Sequence, residues 1–94
     1  MILEIAILNL KPGQCESFEA AFAQAVPIVQ AAKGYISHEL QCCIETPDRY
    51  VLLIKWQTLE DHVTGFRGSA AYQEWRARLH HYYESFLVEH YRTI

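Results

Sequence analysis

Trp56, His62, Phe66, Tyr72, Trp75 and Arg76 fall within one stretch of the chain, and their types suit one kind of chemistry. A histidine has the intrinsic pKa to take a proton at neutral pH. An arginine stays charged, and a cation beside a phenol lowers its pKa by roughly 1–3, or about 1.4–4 kcal/mol. Trp56, Phe66, Tyr72 and Trp75 can wall a dry pocket around an aromatic ring. The set is suited to holding such a ring and favouring its phenolate, with His62 as base and Arg76 as cation.

Each residue also has a plainer reading. Trp56 ends an apolar run and fits a core; Arg76 on an amphipathic helix fits a solvated charge; His62 near a helix start fits the surface. Tyr72, Trp75, Leu79 and Tyr82, at heptad-like spacing, make a face that packs on a sheet. Other chemistries have less behind them. His80 and Glu84 are four apart and would share a helix face, and His38 and His90 lie in strand-like runs. No HExxH or Cys/His ligand spacing occurs, so no metal is expected. Ser17, Ser37, Ser69 and Ser85 sit in no nucleophile-elbow context, and no glycine-rich phosphate cradle is present.

The elements that must position these side chains follow from periodicity. "ILEIAILNL", residues 2–10, is a strand that stops at the turn signal "KPGQ". Residues 16–33 are helical, with Phe18, Phe22, Ala25, Val26 and Val29 on one face and Pro27 as a kink or a new first turn. Gly34 is the left-handed stop. "YISHELQCCIE", 35–45, alternates as a strand, with Ile36, His38, Leu40, Cys42 and Ile44 on one face and Tyr35 on the other. "TPDR" turns into a third strand, 50–57. Thr58 and Asp61 cap a short helix to about residue 66, and Ser69 caps a longer one over about 70–83. "FLVEHYRTI" ends the chain as a strand. The order is βαββαβ: an α+β, ferredoxin-like arrangement, a four-stranded antiparallel sheet with helices on one face.

Composition limits the partners. Ninety-four residues make one domain, 51% hydrophobic and 20% charged. The net charge of −3 is spread along the chain without a basic cluster, so no nucleic-acid partner is expected. The apolar start "MILEIAILNLKPG" carries Glu4 and lacks a basic lead, which marks a strand rather than a signal peptide, and no run is long enough to span a membrane. Cys15, Cys42 and Cys43, an odd count without ligand spacing, read as free thiols in a reducing cytoplasm.

The third strand has two dry faces. Tyr50, Leu52, Ile54 and Trp56 share one; Val51 and Leu53 lie on the other, joined by alternating apolar positions of the first strand such as Ile5 and Ile7 or their neighbours. A chain this short buries only roughly 60–65% of its unfolded surface. An open apolar face of several hundred square ångströms exceeds what a monomer usually tolerates, so a homodimer through the sheet faces is expected.

"LKPGQ", "VPIVQAAKGYISHEL", "DRYVLLIKWQTLEDH" and "FRGSAAYQEW", in this order and spacing, resemble the antibiotic biosynthesis monooxygenase family, the small dimeric α/β-barrel proteins that include quinol monooxygenases. The resemblance spans nearly the whole chain and implies a single such domain over residues 1–94. It implies cofactor-independent oxygenation of a small aromatic substrate, a quinol or a similar electron-rich ring, in a pocket between helices and sheet. The family's substrate contacts are an Asn and a Trp on the third strand, a Tyr on the following helix and a later Arg. In register these fall on Leu52, Trp56, His62 and Arg76, so Trp56 and Arg76 match while Leu52 and His62 depart. The heme-degrading branch has an Asn, Trp and His triad that meets Ala6 or Ile7, Phe66, and Trp75 or Arg76, so heme is not implied. The implied site is Arg76 and His62 for catalysis, and Trp56, Leu52, Phe66, Tyr72 and Trp75 for the substrate, with no cofactor. A ligand-binding or stress-related dimer without turnover is the alternative, and an isomerase or lyase on the same barrel stays open.

Overall fold

Alternation along the first strand decides which way the sheet faces. In the computed structural model, which describes all 94 residues, β1 (Ile2–Leu10) buries Glu4, Ala6, Leu8 and Leu10 and leaves Leu3, Ile5, Ile7 and Asn9 half-buried on the opposite side. β3 (Arg49–Trp56) does the same with Tyr50, Leu52, Ile54 and Trp56. With β2 (Tyr35–Cys42) and β4 (Tyr83–Tyr91) they form an antiparallel sheet in the order β2-β3-β1-β4. The two central strands are therefore the first and third in sequence, as a ferredoxin-like βαββαβ chain requires.

The buried face is covered by α1 (Cys15–Gln30) and α2 (Ala70–Leu79). α1 presents Phe18, Phe22, Ala25 and Val29 to the sheet and runs through Pro27 to Gln30. Burying side chains of this size stabilises by about 1.5–3 kcal/mol each. α2 starts where Ser69 Oγ accepts the Tyr72 backbone N–H at 3.1 Å. It ends at Leu79, earlier than its apolar spacing suggested, and a 3-10 turn (His80–Tyr82) leads into β4, which begins three residues before "FLVEHYRTI". Glu84 is consequently a strand residue, and shares no helix face with His80.

Two local features were not in the pattern. A bulge between Tyr35 and Ser37 on β2 pairs Tyr35 with Trp56, so Tyr35 turns to the buried face and Ile36 is left exposed, the reverse of simple alternation. The short helix after β3 is a π-helix over Asp61–Phe66, closed by Arg67 N–H donating to the His62 carbonyl at 3.0 Å. It is wedged against Gly34, whose φ of +84° suits glycine; a Cβ there would lie 2.1 Å from Asp61 Oδ2. That close approach fixes the π-helix over one end of the sheet.

The outer sheet face stays uncovered in the single chain. It carries Ile5, Ile7, Val51 and Leu53 together with Leu87, paired to Ile7 and 55% exposed, and Tyr91, paired to Leu3. No helix is long and apolar enough to cross a membrane.

Candidate active site

A cavity of about 380 Å³ opens between the sheet and the layer formed by the π-helix and α2. That size lies within the usual range for small-molecule sites. β1 supplies Glu4, Ala6 and Leu8 to its floor; β3 supplies Leu52 and Ile54; β4 supplies Tyr83, Phe86 and Val88. The roof is His62, Phe66 and Arg67 from the π-helix region, Tyr72 and Trp75 from α2, and His80. Phe66 is the hinge of the aromatic wall, with edge-on contacts to Tyr72 (5.5 Å between centroids) and Trp75 (6.1 Å).

The polar centre is Glu4. The residue is 5% exposed, and Oε1 accepts the Trp56 indole N–H at 2.9 Å. Burial pushes the carboxyl up to about 7, against the opposing pull of the Trp56 bond and the Arg67 charge. His62 Nε2 lies 3.4 Å from the same oxygen. His62 is stacked on the Trp56 indole, centroids 5.0 Å apart and 17° between planes. Burial, then the charges of Arg67 and His90, push its pKa down to about 3. The imidazole is thus neutral at physiological pH, and the Glu4–His62 contact is a polar contact rather than an ion pair. His62 Nδ1 meets His90 Nε2 at 2.7 Å. Burial also raises the Tyr83 hydroxyl well above the ordinary tyrosine range, which keeps it a donor.

Leu52, His62, Phe66, Tyr72 and Trp75, five of the seven residues expected at the site, line the cavity together. Trp56 does not. It is fully buried, packed between Tyr35, His62 and Phe66, and reaches the cavity only through its hydrogen bond to Glu4. Arg76 is exposed on α2 and off the cavity wall; its charge is felt by His80, whose pKa is lowered by burial and then by Arg76. The cation on the wall is Arg67, which makes no ion pair with any carboxylate. His62 is in place, but as a neutral ring with a depressed pKa it is a poor acceptor of a full proton. The titratable group on the wall whose pKa lies near neutrality is Glu4.

Glu4 and Arg67 were missed for identifiable reasons. Glu4 is a lone carboxylate on the inward parity of an apolar strand, a signal visible in "ILEIAILNL" but spent on excluding a signal peptide. Arg67 lies between the end of the short helix near residue 66 and the Ser69 cap, where no periodic pattern assigns it a face. The partnership of His62 with His90 joins positions 28 apart in sequence, and no local pattern could announce it.

Residues 1–78 match the sequence model of the family described as antibiotic biosynthesis monooxygenase. The chain belongs to the antibiotic biosynthesis monooxygenase family. Among members of known structure, a candidate antibiotic biosynthesis monooxygenase from Bordetella bronchiseptica is 37% identical, with a TM-score of 0.95 over 99% of this chain and 96% of that one. The uncharacterized protein YczJ of Bacillus subtilis is 50% identical over the full length of both chains. SnoaB, a cofactor-independent oxygenase from Streptomyces nogalater, is 13% identical with a TM-score of 0.83 over 99% of this chain and 92% of that one, a likeness of fold alone. The match to the family model ends at residue 78, before β4, so Tyr83, Phe86, Val88 and His90 lie outside the matched segment.

Proposed function

We propose that this chain is a cofactor-independent monooxygenase that oxidises a quinol or another electron-rich aromatic ring with dioxygen, in the cavity between helices and sheet. The observation that carries this reading is Glu4: a buried carboxyl with its pKa near 7, facing an aromatic cavity with Arg67 on the wall. A base with that pKa is half ionised at neutral pH, the balance that favours proton transfer.

In this mechanism Glu4 takes the hydroxyl proton of the ring, and Arg67 stabilises the phenolate. The phenolate passes one electron to dioxygen, and the radical pair joins to form a carbon–peroxide bond. Glu4 returns its proton to the peroxide. Loss of the ring C–H proton then breaks the O–O bond, leaving a carbonyl on the ring and releasing water. One oxygen atom enters the ring and the other leaves as water, so no external reductant is required. Phe66, Tyr72 and Trp75 hold the ring, and Leu52, where relatives of the phenol-oxidising type carry a polar contact, makes that side of the pocket apolar.

The departures at Leu52 and His62 favour a second reading, a ligand-binding protein without turnover. Oxygen uptake on 1,4-dihydroxynaphthalene in air separates the two. Uptake above the autoxidation baseline that is lost in Glu4→Gln supports the oxygenase; binding of the quinol without uptake overturns it. Apolar Ile5, Ile7, Val51, Leu53 and Leu87 on the open sheet face support a homodimer, which sedimentation equilibrium would read directly. The free thiols Cys15, Cys42 and Cys43 fit a cytoplasmic protein.

A further inference from the structure

We propose that Glu4, His62 and His90 form a proton relay linking the cavity carboxyl to water at the edge strand β4, with His90 as its outer positioning residue. This proposal rests on the assignment of Glu4 as the base.

Two contacts in series join the three residues. Glu4 Oε1 lies 3.4 Å from His62 Nε2, and His62 Nδ1 lies 2.7 Å from His90 Nε2. His90 is the cross-strand partner of Glu4 on β4, is half-buried, and takes no part in the cavity wall. His62 uses its two ring nitrogens for neighbours on opposite sides, so the three residues cannot converge on one metal ion; the geometry is that of a wire. The Trp56 indole N–H holds Glu4 Oε1 at the inner end.

The hydrogen-bond arithmetic permits two arrangements, one for each protonation state of Glu4. With a carboxylate, His62 Nε2–H donates to Glu4, and His90 Nε2–H donates to His62 Nδ1. With a carboxylic acid, the Glu4 O–H donates to His62 Nε2, His62 Nδ1–H donates to His90 Nε2, and His90 carries its one ring proton on Nδ1. A shift of three protons interconverts them. The acid proton moves to His62 Nε2, the His62 Nδ1 proton moves to His90 Nε2, and the His90 Nδ1 proton leaves to water. The product of that shift is the carboxylate arrangement itself, so no ring has to turn over between cycles. Both rings stay neutral throughout, in keeping with the lowered pKa of each.

The relay has a use once a substrate fills the cavity. A ring filling the cavity would separate Glu4 from water on that side, and its proton could then equilibrate only through the wall behind it. The charged and titratable groups facing Glu4 are Arg67 and His62 from the π-helix region and Tyr83 and His90 from β4. Of these, only the two histidines lie in series from Glu4 toward the edge strand, a 3.4 Å contact followed by a 2.7 Å hydrogen bond.

The test reads ring tautomers rather than turnover. In the wild-type protein, ¹⁵N shifts of His62 and His90 and the Trp56 indole N–H are followed as pH passes through about 7, where Glu4 titrates. Both rings are expected to exchange the Nδ1–H form for the Nε2–H form together, in step with the Trp56 signal, and to stay fixed in Glu4→Gln. Rings that hold one tautomer while the Trp56 signal titrates would overturn the relay and leave Glu4 as the base. A Trp56 signal that does not titrate near pH 7 would overturn the base assignment itself. With 1,4-dihydroxynaphthalene as substrate, His90→Ala is expected to lower kcat about tenfold with KM unchanged, and free imidazole to restore it. A wild-type kcat in His90→Ala would likewise overturn the relay.

Discussion

Trp56 and Tyr50 stand on the same face of β3, six residues apart, and each donates a hydrogen bond to a carboxylate. At one end the Trp56 indole binds Glu4; at the other the Tyr50 hydroxyl binds Glu19. The donors are equally buried, but the acceptors are not. Glu19 projects from the exposed side of α1 into water, and the space around Tyr50 is filled by Phe18, with Tyr82 and Tyr83 packed on Phe18 in turn. Burial and the Glu19 contact hold the Tyr50 hydroxyl far above its ordinary range, so it is an inert proton. Glu4 is the buried member of its pair, and the space in front of it is a cavity. The same pairing of aromatic donor and carboxylate is a strut where the acid is wet. It becomes a carboxyl that titrates near neutrality where the acid is dry and faces a hollow.

The largest expected effect falls at the centre of that contrast. Glu4→Gln keeps the Trp56 bond and removes the base, so oxygen uptake should fall about 10²–10⁴-fold. The wild-type rate should rise with pH through about 7, since the carboxylate is the active form, and Glu4→Gln should lose that dependence. Arg67→Ala should raise KM about tenfold, while the exposed Arg76→Ala should leave kcat/KM within about twofold; equal effects would erase the distinction between the two arginines. Trp56→Phe should move the midpoint of the pH–rate profile to higher pH, because the lost bond is one of the influences that lower Glu4. At the other end, Tyr50→Phe should cost only about 0.5–1.5 kcal/mol in chemical denaturation and leave uptake unchanged.

Stability should respond to pH with opposing contributions. The native pKa of Glu4 lies above its ordinary 4.5, so the folded state holds that proton more tightly. Its contribution is full below 4.5 and is lost as pH rises through about 7. His62 is the reverse: its pKa falls from 6.5 to about 3, so its contribution is present above 6.5 and lost as pH falls toward 3. Between 4.5 and 6.5 Glu4 opposes His62, and the lowered His80 and His90 act in the same direction as His62. The Tm of Glu4→Gln should therefore climb with pH across that window more steeply than the wild-type Tm. Equal slopes for the two proteins would show that the Glu4 shift is absent.

Much of this was legible before any coordinates. Alternation in β1 and β3 fixed which residues face the helices, and the order of helical and alternating runs fixed the topology. Phe66, Tyr72 and Trp75 were recognisable as a wall because helical spacing puts them on the sheet side. Tyr35 was not, since a bulge inverts parity without a mark in the residues themselves. Trp56 shows the opposite limit: its type suggested a ring platform, but full burial makes it a support for Glu4.

What the sequence determined by itself is the layout, because periodicity and burial are local properties that repeat along each element. The tertiary structure decided the electrostatics of the cavity. The raised pKa of Glu4, the neutrality of His62 and the placing of Arg67 rather than Arg76 on the wall all depend on which groups distant elements bring to one cavity. Dielectric environment and distance across the fold set those properties, and neither is written in the spacing of residues along the chain.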